Sequence, residues 1–234
     1  MFKKRILVTG GAGFIGGNFV KYMVEKYPDY DIYNLDLLTY AGDLLKHRDI
    51  EQEKNYHFIK ADIADSENML KLFKKEKFDY VVHFAAESHV DRSITDPEPF
   101  VKTNILGTQV LLDVALKNGL TKFIHISTDE VYGDTELNSS MLFTEESKVN
   151  PTSPYSASKA SSDLLVSAYY KTFGLPVNII RSSNNYGPYQ FPEKLIPLTI
   201  SRLLNNQKVP CVWQNKSAEL CKGKMQSPAL NFCA

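Results

Sequence analysis

The fold follows from one glycine-rich segment, Thr9-Gly10-Gly11-Ala12-Gly13-Phe14-Ile15-Gly16. The five residues that precede Gly10 form a short apolar, β-branched run that predicts a strand. Apolar residues after the segment recur at helical spacing until Pro28, which predicts a helix. Glycines between a strand and a helix allow a tight turn and a close approach of the backbone to a pyrophosphate at the helix N-terminus. The segment therefore predicts a dinucleotide-binding turn.

An acidic residue at the expected distance strengthens this interpretation. A second predicted strand, residues 32–35, ends at Asp36, twenty residues after Gly16. At that distance a carboxylate accepts hydrogen bonds from the adenosine ribose hydroxyls. Asp36 would repel a 2′-phosphate, and the next residues, Leu37 and Leu38, offer no arginine to bind one. We therefore expect the cofactor to be NAD rather than NADP.

The rest of the chain alternates strands with helices. Four more apolar runs indicate strands, at residues 56–59, 80–84, 123–126 and 177–181. Helical patterns separate them, including a long one from about Pro99 to Asn118. Such alternation predicts an α/β protein with a doubly wound parallel sheet of the Rossmann type.

The fifth predicted strand leads into Ser127-Thr128-Asp129-Glu130-Val131-Tyr132-Gly133. Ligands of parallel sheets bind at the carboxyl ends of the strands, where this segment falls. Two adjacent acids can divide the removal of water, since one protonates a leaving hydroxyl while the other takes a proton from carbon. The alternative is a polar turn with solvated acids, because such pairs are common in turns.

Tyr155 and Lys159 are four residues apart and share one face of a predicted helix. A nearby ammonium ion favours the phenolate form of a tyrosine. Such a tyrosine can take the proton of an alcohol while a hydride leaves for a nicotinamide. A pair of surface residues on a helix is the alternative interpretation.

The composition is that of an ordinary soluble globular protein of 234 residues, 43% hydrophobic and 23% charged. It suits one large domain, or one domain with part of another. The 27 basic and 27 acidic residues balance, which predicts neither a nucleic-acid nor a membrane partner. The chain has neither an apolar run long enough to span a membrane nor a signal-peptide cleavage site, so we expect a cytoplasmic protein.

These segments together resemble the extended short-chain dehydrogenase/reductase superfamily and, more narrowly, the dTDP-glucose 4,6-dehydratase family. The resemblance extends to about residue 210. The glycine-rich turn is shared by the whole superfamily, whereas the acid pair is more particular to the dehydratases. The matching segments are residues 9–16, 85–93, 127–133, 155–159 and 181–197.

The resemblance implies an NAD-dependent lyase of deoxysugar (rhamnose-type) biosynthesis. In that mechanism Tyr155, assisted by Thr128 and Lys159, deprotonates the sugar 4-hydroxyl as hydride passes to NAD. Glu130 then removes the C5 proton while Asp129 protonates the departing C6 hydroxyl. Return of the hydride to C6, and of a proton to C5, gives the 4-keto-6-deoxy nucleotide sugar.

The resemblance also implies binding residues but no metal. Together with the glycine turn, it assigns to the cofactor Gly10, Gly13, Phe14, Ile15, Gly16, Asp36, Asp62, Ile63, Ala85, Ala86, Tyr155 and Lys159. It assigns to the nucleotide sugar Ser88, Thr128, Asn184, Glu193, Lys194 and Leu195. The helices around residues 101–118 and 155–173 would form the interface of a homodimer.

We expect three regions along the chain. Residues 1–181 would form an NAD-binding Rossmann domain with the catalytic residues, and residues 182–210 would begin a substrate-binding region, leaving apolar surface exposed near residues 185–205. Residues 211–234 hold all three cysteines, whose spacing fits no zinc pattern. We interpret this atypical tail as the non-native or disordered end of a truncated product, with a divergent short variant as the alternative. The function alternatives are a nucleotide-sugar 4-epimerase of the same superfamily and an inactive NAD-binding remnant.

Overall fold

A computed structural model describes residues 2–134 and 142–209, so the tail discussed above lies outside the described residues. Six parallel strands form one sheet in the order β3-β2-β1-β4-β5-β6. They are β1 Lys4–Thr9, β2 Tyr30–Asp36, β3 Tyr56–Lys60, β4 Tyr80–His83, β5 Lys122–Thr128 and β6 Val177–Ser182. This order is that of a doubly wound Rossmann sheet, which confirms the predicted fold class.

Helices cover the sheet and connect its strands. They are α1 Phe14–Lys26, α2 Ser66–Glu76, α3 Val90–Thr95, α4 Glu98–Phe100, α5 Thr108–Lys117, α6 Pro154–Phe173 and α7 Leu195–Leu204. Two short 3₁₀ turns, Leu44–His47 and Asp129–Tyr132, follow β2 and β5. The second turn carries the predicted acid pair.

The core has two parts because β1 alternates its side chains between the two faces of the sheet. Ile6 and Val8 pack with residues of α1 on one face. Leu7 packs on the other face with residues of α2, α5 and α6. Burial on both faces explains why the central residues of β1 and β4 are apolar.

The helix predicted from Pro99 to Asn118 is not continuous. A π-helical segment, Val101–Gly107, separates α4 from α5. Within it the buried Asn104 side chain accepts from the N–H of Glu87 at 2.9 Å and donates to the carbonyl of Glu87 at 3.0 Å. A π turn contains one more residue than an α turn and is frequent at functional sites. We attribute the wider turn to the inward placement of Asn104, which the apolar periodicity could not predict.

Helix α7 lies on the surface and has no buried residue. Its exposed apolar side chains, together with those of β6 and the loop between them, are Ile180, Tyr186, Tyr189, Leu195, Ile196, Ile200, Leu203 and Leu204. This agrees with the apolar exposure expected near residues 185–205. Among the described helices, none is both long enough and apolar enough to span a membrane.

Candidate active site

One cleft of about 1260 Å³ opens at the carboxyl ends of the strands. Its lining includes every residue that the sequence analysis assigned to catalysis, to the cofactor or to the nucleotide sugar. The loops after β1, β2, β4, β5 and β6 supply most of these residues, with the start of α6. The structure thus brings the candidate residues together, while their individual roles stay predictions.

The glycine turn packs closely against the end of β4. Gly10 has a φ of +71°, and a Cβ atom at this position would lie 2.5 Å from the backbone nitrogen of Ala85. Gly13 precedes α1 and provides no side-chain cap for the helix. The first N–H groups of α1 therefore have no partner within the helix and can bind an anion.

Asp36 is fixed by the backbone around it. Its carboxylate accepts from the N–H of Ala12 at 2.9 Å and from the N–H of Leu38 at 2.8 Å. The carboxylate retains lone pairs for further donors, since two oxygens offer about four acceptor sites. Sequence reasoning missed the neighbouring Lys46, a buried lysine whose Nζ donates to the carbonyl of Ala12 at 2.8 Å. Asp36 and Lys46 thus both bind the backbone of Ala12 in the glycine turn.

Asp62 and Ile63 follow β3 at the edge of the cleft. The Asp62 carboxylate pairs with Lys102 Nζ at 2.9 Å. Ile63 is buried against the π-helical segment, where a Cβ on Gly107 would lie 2.6 Å from the Ile63 side chain. These contacts join the end of β3 to the helix that precedes α5.

The loop after β4 is connected to α6 through buried polar groups. Asn104, which holds the backbone of Glu87, also donates from Nδ2 to Ser158 Oγ at 2.8 Å. Ser158 Oγ in turn donates to the carbonyl of Tyr155 at 2.7 Å. Sequence reasoning missed both residues, although a lone asparagine within an apolar helical pattern was a signal that could have identified Asn104.

The acid pair lies in the 3₁₀ turn that begins after Thr128. The N–H of Glu130 donates to Thr128 Oγ1 at 3.3 Å, which caps this turn. Burial raises the pKa of Asp129. Burial and the Asp129 carboxylate raise the pKa of Glu130, and the charge of Lys194 acts in the opposite direction. Both acids are partly withdrawn from water, so the alternative of a solvated turn does not describe them.

Helix α6 begins with a capping box between Ser153 and Ser156 and presents Lys159 one turn further on. Lys159 is buried, and its Nζ donates to the carbonyl of Ile126 at 2.7 Å. Burial lowers the pKa of Lys159 to about 8. The lysine is therefore less basic than in water and is held under the end of β5.

The pKa of Tyr155 is raised, contrary to the expectation that Lys159 would favour its phenolate. Burial is the main cause and the carboxylate of Glu130 is the next, whereas a hydrogen bond with Thr128 lowers the pKa. The sequence could show the spacing of Tyr155 and Lys159 but not the burial of the tyrosine or the acidic residues around it, of which Glu130 has the largest effect.

Glu193 reaches the cleft from the loop after β6 and approaches His89 and Arg92 at the start of α3. Its Oε1 lies 3.3 Å from His89 Nε2, and its Oε2 lies 3.7 Å from Arg92 Nη2. The guanidinium carbon of Arg92 lies 3.8 Å from the centre of the Tyr40 ring. Sequence reasoning missed Tyr40, whose position connects the loops after β2 and β4.

The chain is similar to known nucleotide-sugar enzymes. The family model described as GDP-mannose 4,6 dehydratase matches residues 7–219. The dTDP-glucose 4,6-dehydratase of Salmonella typhimurium is 50% identical over 222 residues, which cover 88% of this chain and 61% of that enzyme. The chain thus spans 61% of the length of this curated relative.

Solved structures show the same likeness. The dTDP-glucose 4,6-dehydratase of Streptomyces venezuelae, solved with NAD bound, has a TM-score of 0.82 and 47% identity over 88% of this chain and 64% of that one. The UDP-glucose 4-epimerase of Thermotoga maritima, solved with UDP-glucose, has a TM-score of 0.78 and 33% identity over the same shares of the two chains. Because the family model matches most of its length, the chain belongs to the GDP-mannose 4,6 dehydratase family.

Proposed function

We propose that the protein acts as a dTDP-glucose 4,6-dehydratase, which oxidises C4 of the sugar, eliminates water across C5 and C6 and returns the hydride to C6. The observation that carries this proposal is the Asp129–Glu130 pair, with both pKa values raised, in the same cleft as Tyr155 and Lys159. Similarity to curated dTDP-glucose 4,6-dehydratases at about 50% identity supports the choice of substrate.

We propose NAD as the cofactor because the residues present fit it. The uncapped start of α1 offers free N–H groups to a pyrophosphate, and Asp36 offers a carboxylate to ribose hydroxyls. Gly10 and Gly13 have no side chains, so a ligand can approach the backbone closely beside the start of α1. When bound, NAD would accept a hydride from the sugar and give it back. The cleft of about 1260 Å³ is larger than typical sites for one drug-sized ligand.

In this proposal the protein moves protons at O4, C5 and O6 of the sugar, and C5 regains a proton when the hydride returns to C6. Tyr155 Oη takes the proton of the sugar 4-hydroxyl, since its raised pKa makes the phenolate a stronger base, and the hydrogen bond with Thr128 offsets part of that rise. Glu130 takes the C5 proton, since a raised pKa makes its carboxylate a stronger base. Asp129 donates a proton to the leaving C6 hydroxyl, since a raised pKa lets its carboxyl group stay protonated at higher pH.

A nucleotide-sugar 4-epimerase is the second candidate, supported by the fold shared with the Thermotoga maritima epimerase at 33% identity. An epimerase needs the tyrosine and lysine for the hydride step, but it eliminates no water and needs no adjacent acid and base. The acid pair therefore favours the dehydratase. An inactive NAD-binding remnant is the third candidate, which activity measurements distinguish from both enzymes.

Further proposals concern the organisation of the protein. We retain residues 1–181 as the NAD-binding domain with the catalytic residues, residues 182–210 as the start of the substrate-binding region, and the cytoplasm as the location. A homodimer is supported by apolar side chains exposed on helices that the resemblance assigns to the interface. These side chains are Val101 and Leu106 of the π-helical segment and Leu164, Tyr170 and Phe173 of α6.

The test is direct. Purified protein is incubated with dTDP-glucose and NAD, treated with alkali and measured for the ultraviolet absorbance of a 4-keto sugar. The dehydratase predicts that absorbance, and the epimerase predicts dTDP-galactose by chromatography instead. A protein that binds NAD in a separate titration and yields neither product would contradict both enzymatic proposals.

A further inference from the structure

A buried ionic bridge lies behind the cleft, among residues that the catalytic scheme does not use. Arg181, on β6, donates from Nε to Asp163 Oδ2 at 2.8 Å and from Nη1 to Tyr132 Oη at 2.8 Å. Asp163 belongs to α6, and Tyr132 ends the 3₁₀ turn of the acid pair. One guanidinium group therefore connects the helix of Tyr155 and Lys159 to the turn of Asp129 and Glu130.

The α6 end of the bridge is almost fully buried. Asp163 is 1% exposed and lies four residues after Lys159, on the same face of the helix. His125 of β5 also approaches it, with Nε2 at 3.3 Å from Asp163 Oδ1. Breaking a buried ion pair leaves an uncompensated charge, which is strongly unfavourable. Asp163 and Arg181 are therefore held together.

The other end of the bridge is fixed by packing. The Tyr132 ring stacks on Phe143, with ring centres 5.0 Å apart. Tyr132 and Val131 form a small apolar cluster with Ala160, the residue after Lys159. The hydrogen bond from Arg181 also fixes the position of the Tyr132 hydroxyl, because a planar guanidinium group donates in a fixed fork.

We propose that Arg181 and Tyr132 are positioning residues that hold the Asp129–Glu130 pair at a fixed offset from Tyr155 and Lys159. The inference rests on the proposed function, because it assigns elimination to the acid pair and oxidation to the tyrosine and lysine. Displacement of a catalytic group by about 1 Å can cost about a hundredfold in rate. Loss of the bridge should therefore affect elimination more than oxidation.

The decisive variant is Tyr132→Phe, which removes the acceptor of Arg181 and keeps the ring. Tyr33→Phe is a matched control, since the buried Tyr33 donates to Glu76 Oε2 at 2.9 Å far from the acid pair. Two quantities are measured for each protein with dTDP-glucose and NAD. These are the amplitude of the reduced-cofactor absorbance in a single turnover and the rate of 4-keto-6-deoxy product formation.

A second measurement needs no turnover. Hydrogen exchange of the backbone amides of residues 129–133 is followed in the free protein by mass spectrometry. Loss of a hydrogen bond to a charged group should speed this exchange about tenfold in Tyr132→Phe and leave it unchanged in Tyr33→Phe. Residues 155–159 should exchange as in the parent protein in both variants.

We expect Tyr132→Phe to slow product formation about tenfold while the oxidation amplitude stays within about twofold of the parent. Arg181→Lys keeps the charge but loses the forked donor geometry, so it should also slow product formation while the oxidation amplitude stays near that of the parent. Equal loss of oxidation and elimination, or unchanged exchange at residues 129–133, would overturn the inference. If the parent protein shows no turnover, the proposed function fails, and the exchange of residues 129–133 alone decides whether the bridge positions the turn.

Discussion

Replacement of Lys159 by methionine should stabilise the protein near neutral pH while it removes activity. Burial lowers the pKa of Lys159 from 10.5 to about 8. At about 1.4 kcal/mol per pKa unit, this fall means that the buried charge costs the folded state about 3 kcal/mol. Methionine leaves the carbonyl of Ile126 without its donor, which costs about 1 kcal/mol. The expected net gain in the free energy of unfolding is about 2 kcal/mol.

The pH dependence tests the cause of this gain. Between pH 8 and pH 10.5 the unfolded chain binds more protons at Lys159 than the folded protein does, so the stability of the parent rises with pH. The advantage of Lys159→Met should be complete below pH 8 and should shrink by up to about 1.4 kcal/mol per pH unit above it. Urea unfolding of both proteins at a series of pH values measures this difference.

Lys71→Met is the matched control, because Lys71 lies on the surface of α2 and its side chain is 71% exposed. Its free energy of unfolding should change by less than about 0.5 kcal/mol at every pH. The reasoning would be refuted by a Lys159→Met protein less stable than the parent at pH 7. A gain that stays constant between pH 8 and pH 10.5 would refute it equally.

Three further predictions concern Gly10, Glu130 and Asp36 of the cleft, and Gly119, which does not line it, is the control for Gly10. Gly119→Ala should lower the free energy of unfolding by about 1 kcal/mol for its positive φ alone. Gly10→Ala should lower the free energy of unfolding further than Gly119→Ala does, because its Cβ would also lie 2.5 Å from the backbone of Ala85. Urea unfolding of both variants measures the difference, and equal losses of stability would contradict this reasoning. Glu130→Gln should slow product formation about a hundredfold with unchanged NAD affinity, measured by turnover and fluorescence titration. Asp36→Asn should weaken NAD binding about tenfold and reduce the preference of the protein for NAD over NADP. An unchanged ratio of the two affinities would count against the role of Asp36 in binding the ribose hydroxyls.

The sequence was sufficient to predict the sheet and the place of the cleft, because both depend on local patterns. A strand, a glycine turn, a helix and an acid at the end of the next strand define the first βαβ unit of a Rossmann fold. The carboxyl ends of parallel strands meet at one edge, so the segments after β4, β5 and β6 had to converge there. The lining of the cleft contains the candidates from all three segments.

The contacts that connect distant parts of the chain could not be predicted in the same way. Asn104 and Ser158 are 54 positions apart, and Arg181 and Tyr132 are 49 apart. No spacing rule joins such pairs, because each depends on how a helix is rotated against the sheet. The prediction that Lys159 would favour the phenolate form of Tyr155 failed for a related reason. Burial and Glu130 raise the pKa of the phenol, and a helical spacing of four residues reveals neither of them.

The charges of α6 and its neighbours also show how an acid pair can lie in the same cleft as a lysine. An ion pair between Glu130 and Lys159 would lower the pKa of Glu130 and weaken it as a base. Instead, the Asp163 carboxylate is the group whose charge supports Lys159, and it also binds Arg181. The cation that acts on Glu130 is Lys194, and its effect is smaller than those of burial and Asp129. Burial and the Asp129 carboxylate therefore leave Glu130 with the raised pKa that favours proton abstraction from carbon.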